Sequence, residues 1–319
     1  MSTALPGSPR VPYAALPAGL RQSVDAALGS AVTDVSPRQG GFSPGPAAVL
    51  TCADGRRAFV KAVGTPLNAE AVVILRAEGR VTAALPGTLP VPRLLRQVDW
   101  SADDGADWVA LLFDVQDGVP PVLPWTTDRA RTAMESVDRF SRAATPCPVP
   151  ALRSLQEAVA GPMSGWAELT GADDLDPWEL ARLDWLAGAE ERLAARGGLD
   201  GDTLVHLDLR ADNLLIAPGG ELVLVDWPWA CRGADWADGV LFALDPAVHG
   251  GVDPEQLVAA SPVVGAADPA DVTDLLAGLL GMWAHRMRQP PPPGLPTLRA
   301  FQRRFHDACL GWLVRRTGG

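Results

Sequence analysis

The polar residues best suited to chemistry lie in an apolar setting in the second half of the chain. His206, Asp208 and Asn213 fall within residues 204–216, a stretch rich in leucine, and Asp226 follows the next apolar run. A carboxylate such as Asp208 can accept the proton of an attacking hydroxyl group. The side-chain oxygens of Asn213 and Asp226 are hard ligands of the kind that Mg²⁺ prefers. Phosphoryl transfer from MgATP needs both functions, so this spacing predicts a phosphotransfer site.

The elements around these residues are a loop and a short hairpin. The apolar runs 214–216 and 222–225 are separated by a Pro-Gly-Gly turn, which predicts two antiparallel strands. Asn213 would precede the first strand and Asp226 would follow the second. The hairpin therefore decides where the two candidate metal ligands lie.

A lysine in the first half of the chain adds a candidate phosphate ligand. Of the 27 basic residues only Lys61 is a lysine, and it lies in the apolar strand predicted over 57–63. An ammonium group meets phosphate oxygens as a point charge, whereas the planar guanidinium group prefers a two-point contact. A lysine at this position in an arginine-rich chain indicates a contact that arginine would not fit. The alternative is that the last lysine stands here by chance.

The motif His206-x-Asp208-x-x-x-x-Asn213, followed by the dipeptide Asp226-Trp227, resembles the catalytic loop and metal-binding aspartate of the protein-kinase-like superfamily. It is most similar to the aminoglycoside phosphotransferase and choline-kinase-like family. That family has His-Gly-Asp-x-x-x-x-Asn, and Asp-Trp or Asp-Phe where protein kinases have Asp-Phe-Gly. The resemblance covers about residues 39–244.

The sequence departs from the family pattern at two loop positions. Leu207 stands where the family has glycine, and Asp212 stands where it has glycine before the metal-binding asparagine. Neither change removes a catalytic group, but both bear on loop geometry. No Ala-Pro-Glu segment follows Asp226, which leaves no room for a protein-substrate platform and favours a small-molecule acceptor over a protein.

The resemblance implies a bilobal, protein-kinase-like fold of the α+β class. Residues 1–115 are expected to form the N-lobe, a nucleotide-binding antiparallel β-sheet with one helix. Residues 116–319 are expected to form a mostly helical C-lobe with the catalytic loop, the metal site and the acceptor-binding helices. Local patterns predict N-lobe strands over 47–51, 57–63, 91–98 and 108–115, and a helix over 68–85. They predict C-lobe helices over 127–144, 177–196, 254–260, 268–288 and 297–315.

The resemblance also implies roles around the catalytic loop. Asp208 is the expected catalytic base, His206 is expected to brace the loop, and Arg210 completes the catalytic set. Asn213 and Asp226 are the expected Mg²⁺ ligands, with ATP as the phosphoryl donor.

Further residues are expected to hold the nucleotide. Lys61 would contact the α- and β-phosphates and be oriented by a glutamate of the next helix. Glu78 is favoured for this because it fits the family's helix pattern, whereas Glu70 lies in the first turn, where an acid can simply offset the helix dipole. The remaining cofactor-binding candidates are the glycine-rich stretch with Gly40, Gly41 and Ser43, and the backbone near Phe113 and Val115, which would contact adenine. Asp238 is either a brace of the catalytic loop or a plain acid at a helix start.

The distribution of charge and the composition indicate which classes of partner the protein can bind. Residues 1–115 carry no net charge, so the net charge of −11 lies in residues 116–319. Such a surface repels nucleic acid and anionic membranes and favours a cationic acceptor, such as an aminoglycoside-like antibiotic or an amino alcohol. Four scattered cysteines and the lack of a signal-peptide pattern predict a cytoplasmic location. The alternative function is a non-catalytic nucleotide-binding scaffold with a degenerate kinase fold. The identity of the acceptor and the oligomeric state stay open.

Overall fold

The structure is a computed structural model and describes residues 7–318. The strands in these residues are β1 (Val32–Pro37), β2 (Ala47–Cys52), β3 (Arg57–Gly64), β4 (Leu94–Ser101), β5 (Asp107–Phe113), β6 (Thr203–Val205), β7 (Leu214–Ile216), β8 (Leu222–Leu224) and β9 (Cys231–Gly233). The helices are α1 (Ala18–Leu28), α2 (Ala69–Ala84), α3 (Thr127–Ala143), α4 (Leu155–Met163), α5 (Pro177–Leu180), α6 (Leu183–Ala187), α7 (Ala189–Arg196), α8 (Ala237–Gly250), α9 (Pro254–Ala260), α10 (Pro269–Arg286) and α11 (Leu298–Arg316).

Two compact units divide the chain, and each contains more than one stretch of sequence. The first unit extends to Pro121 and also includes Ala211–Pro228 and Pro291–Leu298. The second unit comprises Val122–Arg210, Trp229–Pro290 and the chain from Arg299 onward. The predicted lobes, 1–115 and 116–319, are contiguous in sequence, and that division stays a prediction.

The first unit is built on a five-stranded antiparallel sheet in the order β1-β2-β3-β5-β4. One face packs under α1 through a cluster that includes Leu20, Val24, Leu50 and Val60. The opposite face packs under α2 through Val72, Leu75, Val109 and Leu111 among others. The sheet is therefore covered on both faces, which requires the nearly continuous apolar runs of its central strands.

The helix α1 corrects the prediction that the N-lobe contains one helix. Its buried residues are Leu20 and Val24, one helical turn apart, which pack on the sheet. The helix begins after Pro17 and ends at Gly29, whose φ of 70° is the left-handed conformation that commonly closes a helix. The predicted α2 is present, and its N-cap is Asn68, whose side chain accepts a hydrogen bond from the amide of Ala71 at 2.9 Å.

The second unit is mainly helical, and its core is formed around α10. Trp166 is 1% exposed, and its indole N–H donates to the carbonyl of Ala277 in α10 at 2.8 Å. On the same helix, Asp271 and Asp274 form ion pairs with Arg196 of α7. The helix predicted over 177–196 is three short helices, α5 to α7, rather than one. The strands β6 and β9 form a separate two-stranded sheet.

A buried ion pair connects α11 to α5 within this unit. His306 Nε2 lies 2.8 Å from Oε1 of Glu179, which has no exposed surface, and His306 Nδ1 lies 2.9 Å from Oδ1 of Asp307. Burial alone would lower the pKa of His306, but the hydrogen bonds and charges of the two carboxylates outweigh it and raise the pKa above 6.5.

This ion pair makes the stability of the protein depend on pH. Because the folded-state pKa of His306 is raised, its contribution is fully present below about pH 6.5 and is lost as the pH rises through the folded-state pKa. We expect the difference in free energy of unfolding between the wild type and His306→Gln to shrink from about pH 6 to about pH 9. Urea titrations at several pH values measure this difference. A difference that stays constant over the range would contradict the assignment.

Among the helices of residues 7–318, none is both long enough and apolar enough to cross a membrane.

Candidate active site

The position of Lys61 follows from the alternation of side chains along β3. Val60 and Ala62 belong to the cluster under α1, so Lys61 between them points to the face covered by α2. Its neighbours in the sheet are Ala47 and Leu111. Because these neighbours are apolar, the charged partners of the ammonium group must come from other elements, such as α2.

The partner on α2 is Glu78. The ammonium Nζ of Lys61 lies 2.8 Å from Oε1 and 3.0 Å from Oε2 of Glu78, whereas Glu70 is exposed in the first turn. The glycine after Glu78 lies close to the sheet, since a Cβ on Gly79 would lie 2.9 Å from Cδ2 of the buried Leu111. The helix can therefore approach the sheet closely enough for Glu78 to reach Lys61.

Asp226 completes a three-residue ion cluster within the first unit. Its Oδ1 lies 2.8 Å from Nζ of Lys61. Burial alone would lower the pKa of Lys61, but the charges of Asp226 and Glu78 raise it above its usual value. Burial raises the pKa of Glu78 to about 7; the charge of Lys61 opposes that rise and the charge of Asp226 adds to it. Lys61 is thus held charged between two carboxylates.

The β7–β8 hairpin brings Asn213 and Asp226 to one end. Leu214 pairs with Leu224, and the amide of Val225 donates to the carbonyl of Asn213 at 3.0 Å. Asn213 is buried, while the carboxylate of Asp226 is partly exposed. Mg²⁺ bound with nucleotide takes only one or two protein oxygens and completes its shell with water and phosphate. The two donors at this hairpin end fit that requirement. No group of three or more His, Cys, Asp or Glu in residues 7–318 is arranged to hold a metal.

In the second unit, a buried carboxylate holds the loop that contains His206 and Asp208. Asp238 accepts hydrogen bonds from the amides of His206 at 2.7 Å and Leu207 at 2.9 Å. Burial raises the pKa of Asp238 to about 6, and the two amides oppose that rise. The buried ring of His206 accepts from the amide of Asp208 through Nδ1 at 3.3 Å. The acid at the start of α8 therefore braces the loop, and His206 lies within the loop's own hydrogen bonding.

Arg210 holds the carboxylate of Asp208. Its Nη1 lies 2.5 Å from Oδ1 of Asp208, and its guanidinium group lies over the ring of Phe301 in α11, 5.0 Å from the centroid. A charge-assisted hydrogen bond of this kind is short and directional, so it fixes the orientation of the carboxylate that accepts it. Arg210 thus restricts the orientation of the expected base.

Two non-glycine residues of the described chain have positive φ, and both belong to the predicted motifs. Leu207 has φ of 66° and Asp226 has φ of 72°. Such backbone conformations cost about 1–3 kcal/mol each for residues with a Cβ and concentrate at functional sites. Leu207 occupies the position where the resembling family has glycine. The left-handed backbone gives the physical reason for glycine there.

A substitution at Leu207 measures this strain. We expect the Leu207→Gly variant to be more stable than the Leu207→Ala variant by about 1 kcal/mol in free energy of unfolding. Both variants lose the leucine side chain beyond Cβ, but only glycine adopts positive φ without strain. Thermal or urea denaturation of the two variants provides the comparison. Equal stabilities, or a more stable alanine variant, would show that Leu207 is not strained.

The glycine-rich stretch in the first unit surrounds a half-buried arginine, Arg10. Gly40 and Gly41 have φ of 91° and 76°. Arg10 donates through Nε and Nη2 to the carbonyl of Gly40 at 3.2 and 2.7 Å, and through Nη1 to the carbonyls of Ser43 at 3.3 Å and Gly45 at 3.0 Å. Of the predicted loop residues, Gly40 and Ser43 therefore share Arg10 as a hydrogen-bonding partner, which lies 30 residues or more earlier in the chain, whereas the carbonyl of Gly41 accepts from the amide of Ser8.

The two predicted adenine contacts lie at the end of β5. Phe113 is the last residue of the strand and is buried between Phe59 and Leu94. Val115 lies two residues beyond the strand and is half-buried. Their contact with adenine stays a prediction.

Sequence reasoning missed two residues at the site. Arg10 lies in a proline-rich stretch before the first strand, and Phe301 is one of several apolar residues on α11. Neither residue belongs to a motif, and each contacts a partner that is distant in sequence: Arg10 contacts the glycine-rich loop and Phe301 contacts Arg210. Only the folded chain identifies them.

Comparison with known proteins places the fold. No protein-family model and no curated protein sequence matches the chain. A thermostable mutant of aminoglycoside phosphotransferase APH(4)-Ia, solved with ADP and hygromycin B, is 14% identical with a TM-score of 0.63, covering 94% of this chain and 99% of that one. Spectinomycin phosphotransferase APH(9)-Ia, solved with ADP and spectinomycin, is 11% identical with a TM-score of 0.61, covering 94% and 98%. Choline kinase LicA from Streptococcus pneumoniae is 12% identical with a TM-score of 0.57, covering 92% and 97%.

At these identities the likeness concerns the fold. It confirms the predicted α+β class and, at the level of the fold, the predicted resemblance. The chain has the kinase-like fold shared by aminoglycoside phosphotransferases and choline kinase LicA.

Proposed function

We propose that the protein is an ATP-dependent phosphotransferase that moves the γ-phosphate of MgATP to a hydroxyl group of a small molecule. The observation that carries the proposal is the ion cluster of Lys61, Glu78 and Asp226. A charged lysine held between two carboxylates, in an apolar strand, is a costly arrangement for stability alone. Its chemistry suits a site that receives nucleotide phosphates with a divalent cation.

Each expected role has a physical basis in its own unit. In the first unit, Lys61 would meet the phosphates, and Asn213 and Asp226 would hold Mg²⁺. A bound Mg²⁺ would neutralise charge on the phosphate oxygens. In the second unit, Asp208 would orient the acceptor hydroxyl and take its proton, and Arg210 would fix the carboxylate that does so. Phosphoryl transfer requires little else from a protein beyond positioning and charge stabilisation.

We further propose that the acceptor is cationic, such as an aminoglycoside-like antibiotic or an amino alcohol. The net negative charge lies in residues 116–319, and a cationic molecule gains from that field. Two of the structures with this fold were solved with hygromycin B and spectinomycin, and another is a choline kinase. These names describe those proteins, and the acceptor of this chain is to be found by experiment.

The direct test is incubation with MgATP and a panel of aminoglycosides, aminocyclitols, amino alcohols and neutral sugars. ADP release is followed together with the mass of the acceptor. An acceptor mass increased by one phosphoryl group supports the proposal, and a cationic product supports the acceptor class. A neutral product alone would contradict the acceptor class. Nucleotide binding without turnover of any acceptor would favour the non-catalytic scaffold instead.

A further inference from the structure

A short N-terminal segment, Gly7–Val11, runs beside the glycine-rich loop of residues 40–45; we call it the N-terminal strap. Gly7 forms a parallel bridge with Gly41, and the amide of Ser8 donates to the carbonyl of Gly41 at 3.1 Å. The amide of Val11 donates to the carbonyl of Pro44 at 3.0 Å. The strap is therefore attached to the loop at both ends by backbone hydrogen bonds.

The guanidinium group of Arg10 fills the space between the strap and the loop. Its four donated hydrogen bonds reach the carbonyls of Gly40, Ser43 and Gly45, so it crosses the whole loop. A Cβ on Gly41 would lie 2.8 Å from Nη2 of Arg10. Glycine at this position leaves room for the guanidinium group, and a larger residue would displace it.

A third stretch of chain supports the strap from outside. The hydroxyl of Thr297 donates to the carbonyl of Gly7 at 2.9 Å and lies 2.8 Å from the hydroxyl of Ser8. The neighbouring Gly294 lies against Pro44, since a Cβ there would be 2.6 Å from that ring. The strap is thus held between the loop and residues 291–298, all within the first unit.

The loop itself supplies few groups that could fix its shape. The residues after Ser43 and Gly45 are Pro44 and Pro46, which have no N–H group. The carbonyl and the following N–H of a trans peptide unit point in opposite directions. Because Arg10 holds the carbonyl of Gly40, the N–H of Gly41 is directed away from Arg10. The arrangement of the loop amides therefore depends on this side chain together with the backbone hydrogen bonds from Ser8 and Val11.

Arg10 also brings positive charge to the metal-binding end of the β7–β8 hairpin. The pKa of Arg10 is lowered overall, because burial disfavours its charge. The nearby carboxylates of Asp226 and Asp212 partly oppose that shift. An arginine stays protonated in proteins under such conditions. The positive charge of Arg10 therefore interacts with the carboxylate of Asp226, which is expected to bind Mg²⁺ together with the nucleotide.

We propose that Arg10 is a positioning residue for the nucleotide phosphates, acting through the glycine-rich loop that it holds in shape. This inference rests on the proposed function for the identity of the ligand. It adds a role for the N-terminal strap, which lies outside every motif of the sequence.

The test compares nucleotides that share the base and sugar but differ in phosphate number. Calorimetric titration with Mg²⁺ gives Kd for ATP, ADP and adenosine in the wild type, Arg10→Gln and Arg10→Lys. We expect Arg10→Gln to weaken ATP binding about tenfold, because the loop that faces the phosphates is no longer held in shape, and to leave adenosine binding unchanged. Arg10→Lys keeps the charge, and its Kd for ATP is expected to lie between those of the wild type and Arg10→Gln. Arg38→Gln, an exposed arginine before the same loop, is the matched control.

A second variant keeps the test valid if Arg10→Gln does not fold. A Cβ on Gly7 would lie 2.9 Å from the carbonyl carbon of Gly40 and from the carbonyl oxygen of Gly41, so Gly7→Ala moves the strap without removing a charge. This variant is expected to weaken the binding of ATP more than the binding of adenosine. Equal Kd values in variants and wild type, or equal losses for ATP and adenosine, would overturn the inference.

The outcomes also separate this inference from the proposed function. Wild-type ATP binding without turnover of any acceptor defeats the proposed function, and the Arg10 comparison still stands on binding alone. Normal turnover with no effect at Arg10 defeats the inference and leaves the proposed function intact. No nucleotide binding by the wild type would defeat both.

Discussion

An Asp208→Asn variant is expected to lose about 100- to 10,000-fold in kcat for the acceptor found in the panel assay. The amide has the shape of the carboxylate but cannot accept the proton of a hydroxyl group at neutral pH. ATP binding is expected to stay within about twofold of the wild type, since the proposed nucleotide contacts lie on other residues. Steady-state kinetics and calorimetric titration measure the two quantities.

The fold is expected to tolerate this change. Asp208 is half-buried and its hydrogen bond to Arg210 can pass to the amide oxygen of asparagine. Asp235→Asn, an exposed acid of the same unit, is the matched control and is expected to keep full activity. An Asp208→Asn variant with unchanged kcat would remove Asp208 from the catalytic role. It would also remove the main distinction from a non-catalytic scaffold.

Lys61→Met is expected to abolish ATP turnover and to destabilise the protein by about 3–5 kcal/mol. The variant leaves Glu78 buried without its cation and facing the charge of Asp226. Lys61 holds down the pKa of Glu78, which burial and Asp226 already raise to about 7. Glu78 therefore takes up a proton near neutral pH in the variant, and the full loss of stability is expected only at higher pH, where Glu78 ionises without its cation. Urea denaturation measures the loss of stability, and the coupled assay for ADP measures turnover.

The double variant Lys61→Met with Glu78→Gln separates stability from function. Removing both charges is expected to restore most of the stability, because no unpaired ion remains buried at α2. Turnover is expected to stay absent, since the phosphate ligand is still missing. Recovery of activity in the double variant would show that Lys61 contributes only to folding.

Several elements could be predicted from sequence because their signals are local. The strand carrying Lys61 is a continuous apolar run, and Asn68 marks the start of α2 in the sequence as well as in the structure. The family's helix pattern, rather than local periodicity, favoured Glu78 over Glu70, and the structure brings Glu78 to Lys61. A strand period of two and a helix period of 3.6 predict the elements that carry the two residues.

Other elements could not be predicted because their determinants are non-local. Residues 177–196 read as one helix, yet the chain breaks near Arg182 and Gly188, and a buried Glu179 turns inward to His306. The three-residue strands β6 and β9 are too short for a recognisable pattern, and they pair although more than twenty residues, including the expected catalytic loop, separate them in the chain. A partner more than a hundred residues away leaves no trace in local periodicity.

The candidate site divides in the same way. The candidate motif residues were predicted from their types and spacing together with the family resemblance, and their roles stay predictions. The strained backbone at Leu207 and Asp226 was not, because φ depends on how the surrounding structure holds the loop. Arg10 was missed for a related reason, as its partners are backbone carbonyls, which every sequence contains.

The composition of the first unit has a consequence for how the protein is made. Its sheet is encoded early in the chain, but Pro291–Leu298, which supports the strap through Thr297, is encoded near the end. Domains generally fold as they emerge during synthesis, the N-terminal ones first. Here the sheet can form early on the ribosome, while the outer support of the glycine-rich loop arrives only after the residues of the second unit up to Pro290 have been translated. The half of the protein proposed to bind nucleotide is therefore begun first and completed among the last.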